Sequence, residues 1–291
     1  MKDHNTTKSQ IVTALLSAPQ SDGIVATTLG FFADRSWELR RFEQSILGDQ
    51  FYARVEFACT LKLLDSADLA SQLNELQKLI NGNVDFEVLG REHSFALLID
   101  RPCSLLMDMA NGCGKGDLKF SSIAFIASRD VDIEPIANRF GIPFFVLPKG
   151  DDVALETRVL ELVKRYKPTV LGVAKSDQVF SAQFQRKVST DLFAVQSAFI
   201  PVHVGHPQLQ FETQWAVRKG AALTVASSFF YSPEVGGETI IKQEAIQLSA
   251  DDDELAIDSK RNALESEVFL HTLIALAQKR VIVGKNRCVT F

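Results

Sequence analysis

Between residues 94 and 230 the chain alternates β-rich runs with stretches of helical periodicity, and this alternation constrains the fold more than any other feature of the sequence. The runs lie at 94–99, 120–127, 143–147, 169–174, 192–196 and 222–230. Helical stretches fall between them at 104–111, 133–139, 154–167 and 211–219. Strand and helix in alternation predict a mostly parallel, doubly wound α/β sheet. Pro168 is placed to stop a helix just before the 169–174 strand. A long helical region at 251–280 follows, and 281–283 with 288–291 reads as a closing hairpin.

Residues 1–90 follow another rule. Residues 10–16 read as a strand, and Ala18-Pro19-Gln20-Ser21-Asp22-Gly23 is a turn rich in breakers. Residues 24–35 carry Ile24, Thr28, Phe31 and Phe32 at helical spacing. Strands at 39–47 and 51–61 hinge at Gly48-Asp49. Ser66 is placed as an N-cap for a helix with the stripe Leu69, Leu73, Leu76 and Ile80. A strand at 84–89 closes the set. The order βαββαβ is the ferredoxin-like split unit. The expected division is therefore 1–90, a ferredoxin-fold domain, and 91–291, an α/β domain. In a monomer, the strands at 39–47 and 51–61 are expected to leave open edges, which invite pairing.

Composition excludes several classes. A length of 291 residues suits two domains with their own cores. No apolar run reaches the roughly 18–20 residues of a membrane span. The polar segment 1–10 lacks an export signal core, so a cytoplasmic location is expected. Four scattered cysteines without metal spacing read as reduced thiols, and no metal site is expected. A net charge of −5 without a basic cluster argues against a nucleic-acid partner. Asn111-Gly112-Cys113-Gly114-Lys115-Gly116 lacks the spacing of a phosphate loop and follows a helix, so it reads as a connecting loop.

Ordered motifs then point to a family. Gln20-Ser21-Asp22-Gly23-Ile24-Val25-Ala26 resembles the turn and helix start of an ACT domain. Arg139-Phe140-Gly141-Ile142-Pro143-Phe144, Tyr166-Lys167-Pro168 with Leu171 through Lys175, and Ala277-Gln278-Lys279-Arg280-Val281 with Gly284 and Asn286-Arg287 complete the series. In this order they resemble formyltetrahydrofolate deformylases, which join an ACT domain to a formyltransferase-type domain. The resemblance implies hydrolysis of 10-formyltetrahydrofolate. It also implies a homodimer or dimer of dimers through the ACT domain, and an effector turn at Gln20, Asp22 and Gly23.

The family uses an Asn to stabilise the oxyanion, a His to handle the proton and an Asp to orient water. With Pro201 fixing one register and Ile240-Ile241 the other, those positions hold Ala194, Gln196 and Gly236. Alanine has no donor, glutamine exchanges no proton near neutral pH, and glycine has no side chain. The expected ligand cleft comprises Ser128, Arg129, Lys175, Ser176, Asp177, Gln178, Val179, Glu234 and Val235. Asp177 stands where the family has an apolar wall, and burying it unpaired would cost several kcal/mol. Replacement groups are sought in His203, His206 and Glu238.

Three functions follow. One is a pseudoenzyme that binds a small ligand, such as a tetrahydrofolate derivative, or acts as a regulatory paralogue. Another is an enzyme with a rebuilt site for hydrolysis or one-carbon transfer. The third is a divergent 10-formyltetrahydrofolate hydrolase.

Overall fold

The computed structural model describes residues 9–60, 66–101, 103–197, 220–233, 238–284 and 287–291. The helix expected at 211–219 lies outside them. Packing divides the chain into two units. One is Met1–Arg91 with Lys279–Lys285 and Val289–Phe291; the other is Glu92–Gln278 with Asn286–Cys288. Lys279–Lys285 and Val289–Phe291, read from sequence with the second domain, thus group with the first unit.

The first unit runs β1 (Ser9–Pro19), α1 (Ile24–Asp34), β2 (Glu38–Leu47), β3 (Gln50–Thr60), α2 (Ser66–Leu79) and β4 (Asn83–Val88). Its antiparallel sheet has the order β2-β3-β1-β4. Gly23, at φ +78°, lets the chain enter α1 through a left-handed residue. Helix α1 buries Ile24, Thr28, Phe31 and Phe32, the stripe read from sequence. These meet Trp37 and Phe57, whose rings stack with centroids 4.8 Å apart. The expectation of an open edge at 51–61 is corrected. Strand β3 is flanked by β2 and β1, because β1 runs through the middle of the sheet, and the edges are β2 and β4.

A small cluster around Leu15 and Tyr52 takes in Ile282 and Val289, from the short strands β12 (Val281–Val283) and β13 (Cys288–Thr290). Arg54 is buried beside it. Its guanidinium reaches Glu43 at 3.3 Å and Glu56 at 3.6 Å, and donates to the Lys279 carbonyl at 3.1 Å. A buried guanidinium needs this degree of pairing.

The second unit runs β5 (His93–Ile99), α3 (Ser104–Gly112), β6 (Ser121–Ser128), α4 (Glu134–Arg139), β7 (Phe144–Val146), α5 (Asp152–Tyr166), β8 (Val170–Ala174), α6 (Ala182–Lys187), β9 (Asp191–Gln196), β10 (Leu223–Phe230), β11 (Thr239–Gln247) and α7 (Glu254–Ala277). The sheet order is β11-β10-β9-β8-β5-β6-β7. Strands β5 to β9 pair in parallel, while β10 and β11 pair antiparallel with their neighbours. Asp151 caps α5 by accepting from the Ala154 N–H at 2.9 Å. Lys167, at φ +48°, ends that helix before Pro168.

Strand β11 extends well beyond the Ile240-Ile241 pair noted in the sequence. Its exposed and covered residues alternate, as on the edge of an antiparallel pair. Within β8, Gly172 leaves room for Phe269 of α7. A Cβ at that position would stand 2.5 Å from the Phe269 ring and 3.0 Å from Phe193.

Candidate functional site

In an open α/β sheet, ligands bind beyond the carboxyl ends of the strands where the winding reverses. Here that point lies between β5 and β8, since the chain passes from β5 to β6 on one side and later to β8 on the other. The residues just past four neighbouring strand ends are Asp100, Arg129, Lys175-Ser176 and Ser197. Two charged clusters form there.

The first cluster centres on Asp100. Its Oδ1 accepts from the Arg129 backbone N–H at 2.9 Å. Its Oδ2 accepts from Arg129 Nε at 3.0 Å, from Arg129 Nη2 and from the Ser176 hydroxyl. Burial pushes the Asp100 carboxyl up. The hydrogen bonds from Arg129 and Ser176, with the Arg129 charge, outweigh it and hold the carboxyl below its usual range. Donating to Asp100 in turn raises Arg129, against the opposing effect of burial. Above this pair, Arg101 meets Asp177 at 2.7 Å, both half-exposed.

The second cluster centres on Glu265 of α7. Lys175 Nζ donates to Glu265 Oε2, and to Asn262 Oδ1 at 2.9 Å. The Ser197 hydroxyl donates to Glu265 Oε1. The Lys175 side chain is 6% exposed and that of Glu265 13%. Lys175 sits at φ +53°, a left-handed conformation unfavourable for a residue with a Cβ. Consecutive residues Lys175 and Ser176 thus tie the end of β8 to two different clusters. Cys103, at the start of α3, lies close to the Lys175–Glu265 pair, and burial raises its thiol above the usual range.

The structure places the expected residues unevenly. Ala194 is 2% exposed and pairs with Val173 on one side and Phe229 on the other. Gln196 ends β9 opposite Ser227. Ser128 is fully buried, and its hydroxyl accepts from the Asp130 N–H at 2.8 Å, shaping the turn. Gln178 is buried, with its Nε2 on the Val179 carbonyl at 3.0 Å, and Val179 is exposed. The expectation that Asp177 would be a buried, unpaired carboxylate is corrected: its side chain is 48% exposed and Arg101 pairs it. Glu238 precedes β11, close enough to Tyr231 to add its charge to the burial that raises that phenol. Gln20, Asp22 and Gly23 form the turn before α1. Gly236, His203, His206, Glu234 and Val235 lie outside the described residues.

Asp100, Arg101, Ser197, Asn262 and Glu265 complete the clusters and were not among the expected residues. Asp100 has a legible signal, a charge directly after an apolar strand. Glu265 has none, for it lies 90 residues from Lys175 on a helix rich in charge. Among the described residues, no three His, Cys, Asp or Glu side chains gather as a metal site.

The fold is that of a formyltransferase-type α/β domain together with a ferredoxin-like unit. No family model matches it. The formyltetrahydrofolate deformylase of Synechocystis is 25% identical over 284 residues, covering 96% of this chain and 98% of that protein. The deformylase of Bacillus subtilis is 21% identical, covering all of this chain and 96% of its own. In fold, the deformylase of Pseudomonas syringae superposes with a TM-score of 0.84 at 19% identity, over 99% of this chain and 96% of its own. A glycinamide ribonucleotide transformylase from Symbiobacterium toebii matches 70% of this chain and 96% of its own, at a TM-score of 0.60 and 16% identity. Along nearly its whole length the chain is similar to formyltetrahydrofolate deformylases.

Proposed function

We propose that this chain is a deformylase-family protein without the family's proton-transfer chemistry, and that its strand-end cleft binds a small ligand. A tetrahydrofolate derivative is the first class to test. The observation that carries this reading is the end of β9. There the positions that the resemblance assigns to the catalytic Asn and His hold the buried methyl of Ala194 and the amide of Gln196. The nearby carboxylate of Asp100 does not substitute for them. Four donors surround it and its pKa is lowered, so it is a poor proton acceptor near neutral pH.

Loss of one such group typically lowers the rate by orders of magnitude. The expected result with purified protein and 10-formyltetrahydrofolate is formate release at background, together with a raised melting temperature when tetrahydrofolate is added. Formate release at an ordinary enzymatic rate would overturn the reading. An ACT-type role for the first unit, with its effector turn at Gln20, Asp22 and Gly23, and assembly as a homodimer in the cytoplasm belong to the same proposal. Among the described residues, no helix is long and apolar enough to cross a membrane. A monomer by light scattering at micromolar concentration would remove the assembly part.

A further inference from the structure

The second cluster has the parts of a nucleophilic site. A side-chain hydroxyl at the end of a central strand donates to a carboxylate, and a third group fixes that carboxylate. This is the nucleophile, base and orienting-group arrangement of covalent catalysis, recognised by geometry rather than by sequence order. Ser197 supplies the hydroxyl and is half-buried, so a reagent can reach it. Glu265 supplies the carboxylate, and its second oxygen is held by Lys175, itself held by Asn262 at 2.9 Å. Lys175 keeps an unfavourable left-handed backbone to reach that position, and retained strain of this kind concentrates at functional sites.

We propose that Ser197 is a nucleophile toward activated acyl donors, with Glu265 as its base and Lys175 as a positioning residue. In the step, Ser197 Oγ attacks the acyl carbon and its proton passes to Glu265 Oε1. The Oγ–acyl bond forms as the bond to the leaving group breaks, and the leaving group departs with that proton. Water then hydrolyses the ester and restores the serine. This goes beyond the binding role proposed above and requires no family catalytic position.

The test uses the full chain and a fluorophosphonate probe. In that reaction Oγ displaces fluoride from phosphorus, and the proton goes to Glu265. The expected result is one adduct per chain, mapped by peptide mass spectrometry to Ser197 and absent in Ser197→Ala. Labelling should be at least about tenfold slower in Glu265→Gln. Lys175→Ala should slow labelling and Lys175→Arg restore it, with circular dichroism confirming that each variant is folded. No adduct at Ser197 in the unaltered protein overturns the proposal, whatever the variants do. So does labelling of a folded Glu265→Gln at the unaltered rate. Formate release from 10-formyltetrahydrofolate is a separate readout, so failure here is distinguishable from failure of the binding reading.

Discussion

The two sheets handle polar residues in opposite ways. In the first unit, charges lie along the strands. Arg54 sits in mid-strand between Glu43 and Glu56, and most of β2 is exposed. In the second unit, the parallel strands β5 and β8 are covered on both faces, and β8 is buried at every residue. A strand buried on both faces has no place for an unpaired charge. Polar groups are therefore displaced to the strand ends, where Asp100, Arg129, Lys175 and Ser176 collect. These charged groups gather at the strand ends because the covered faces of β5 and β8 leave no place for them.

The sharpest way to break this contrast is to open the covered face. Phe269 is fully buried against Phe193, with centroids 4.9 Å apart. Phe269→Ala should cost about 4 kcal/mol in chemical denaturation. Gly172→Ala tests the same face from the opposite direction. Its Cβ would press on the Phe269 ring, so a loss of about 2 kcal/mol is expected in the same assay. A neutral result at Gly172 would mean that α7 can move off the sheet.

The rim itself is probed by Arg129→Ala, which leaves a largely buried Asp100 with fewer donors. The expected loss is about 2 kcal/mol at pH 7, and the difference from the unaltered protein should shrink in acid. The sign follows from linkage. The folded Asp100 carboxyl is held below its unfolded value, so its stabilisation is complete above pH about 4. It is lost as pH falls through the lower folded value. Thermal melts at pH 7 and pH 3 check this, and an equal difference at both would show that Asp100 is not the group responsible. The smallest effect is expected on the first sheet's edge. Arg40→Ala breaks an exposed pair with Glu38, and its cost should stay within about 0.5 kcal/mol.

Much of the architecture is legible in sequence because each unit has a local pattern. The stripe Ile24, Thr28, Phe31 and Phe32 on α1 and the strand–helix alternation after residue 93 both reflect burial that repeats within a few residues. Neighbour order in a sheet has no such local mark. The interior place of β3 follows from its pairing with both β2 and β1, and the second of these pairings is one that no motif around residue 51 encodes.

The site divides along the same line. The sequence by itself carried the family resemblance and the expectation that Ala194, Gln196 and Gly236 stand at the family's catalytic positions, since both depend on residue identity at a fixed register. Only the tertiary structure decided which charges neutralise one another. Asp177 turns outward to Arg101, Asp100 is surrounded by Arg129 and Ser176, and Glu265 joins Lys175 to Ser197 across a long separation in sequence. Whether a charged side chain is paired depends on its neighbours in space and its distance from water, and long-range packing sets both.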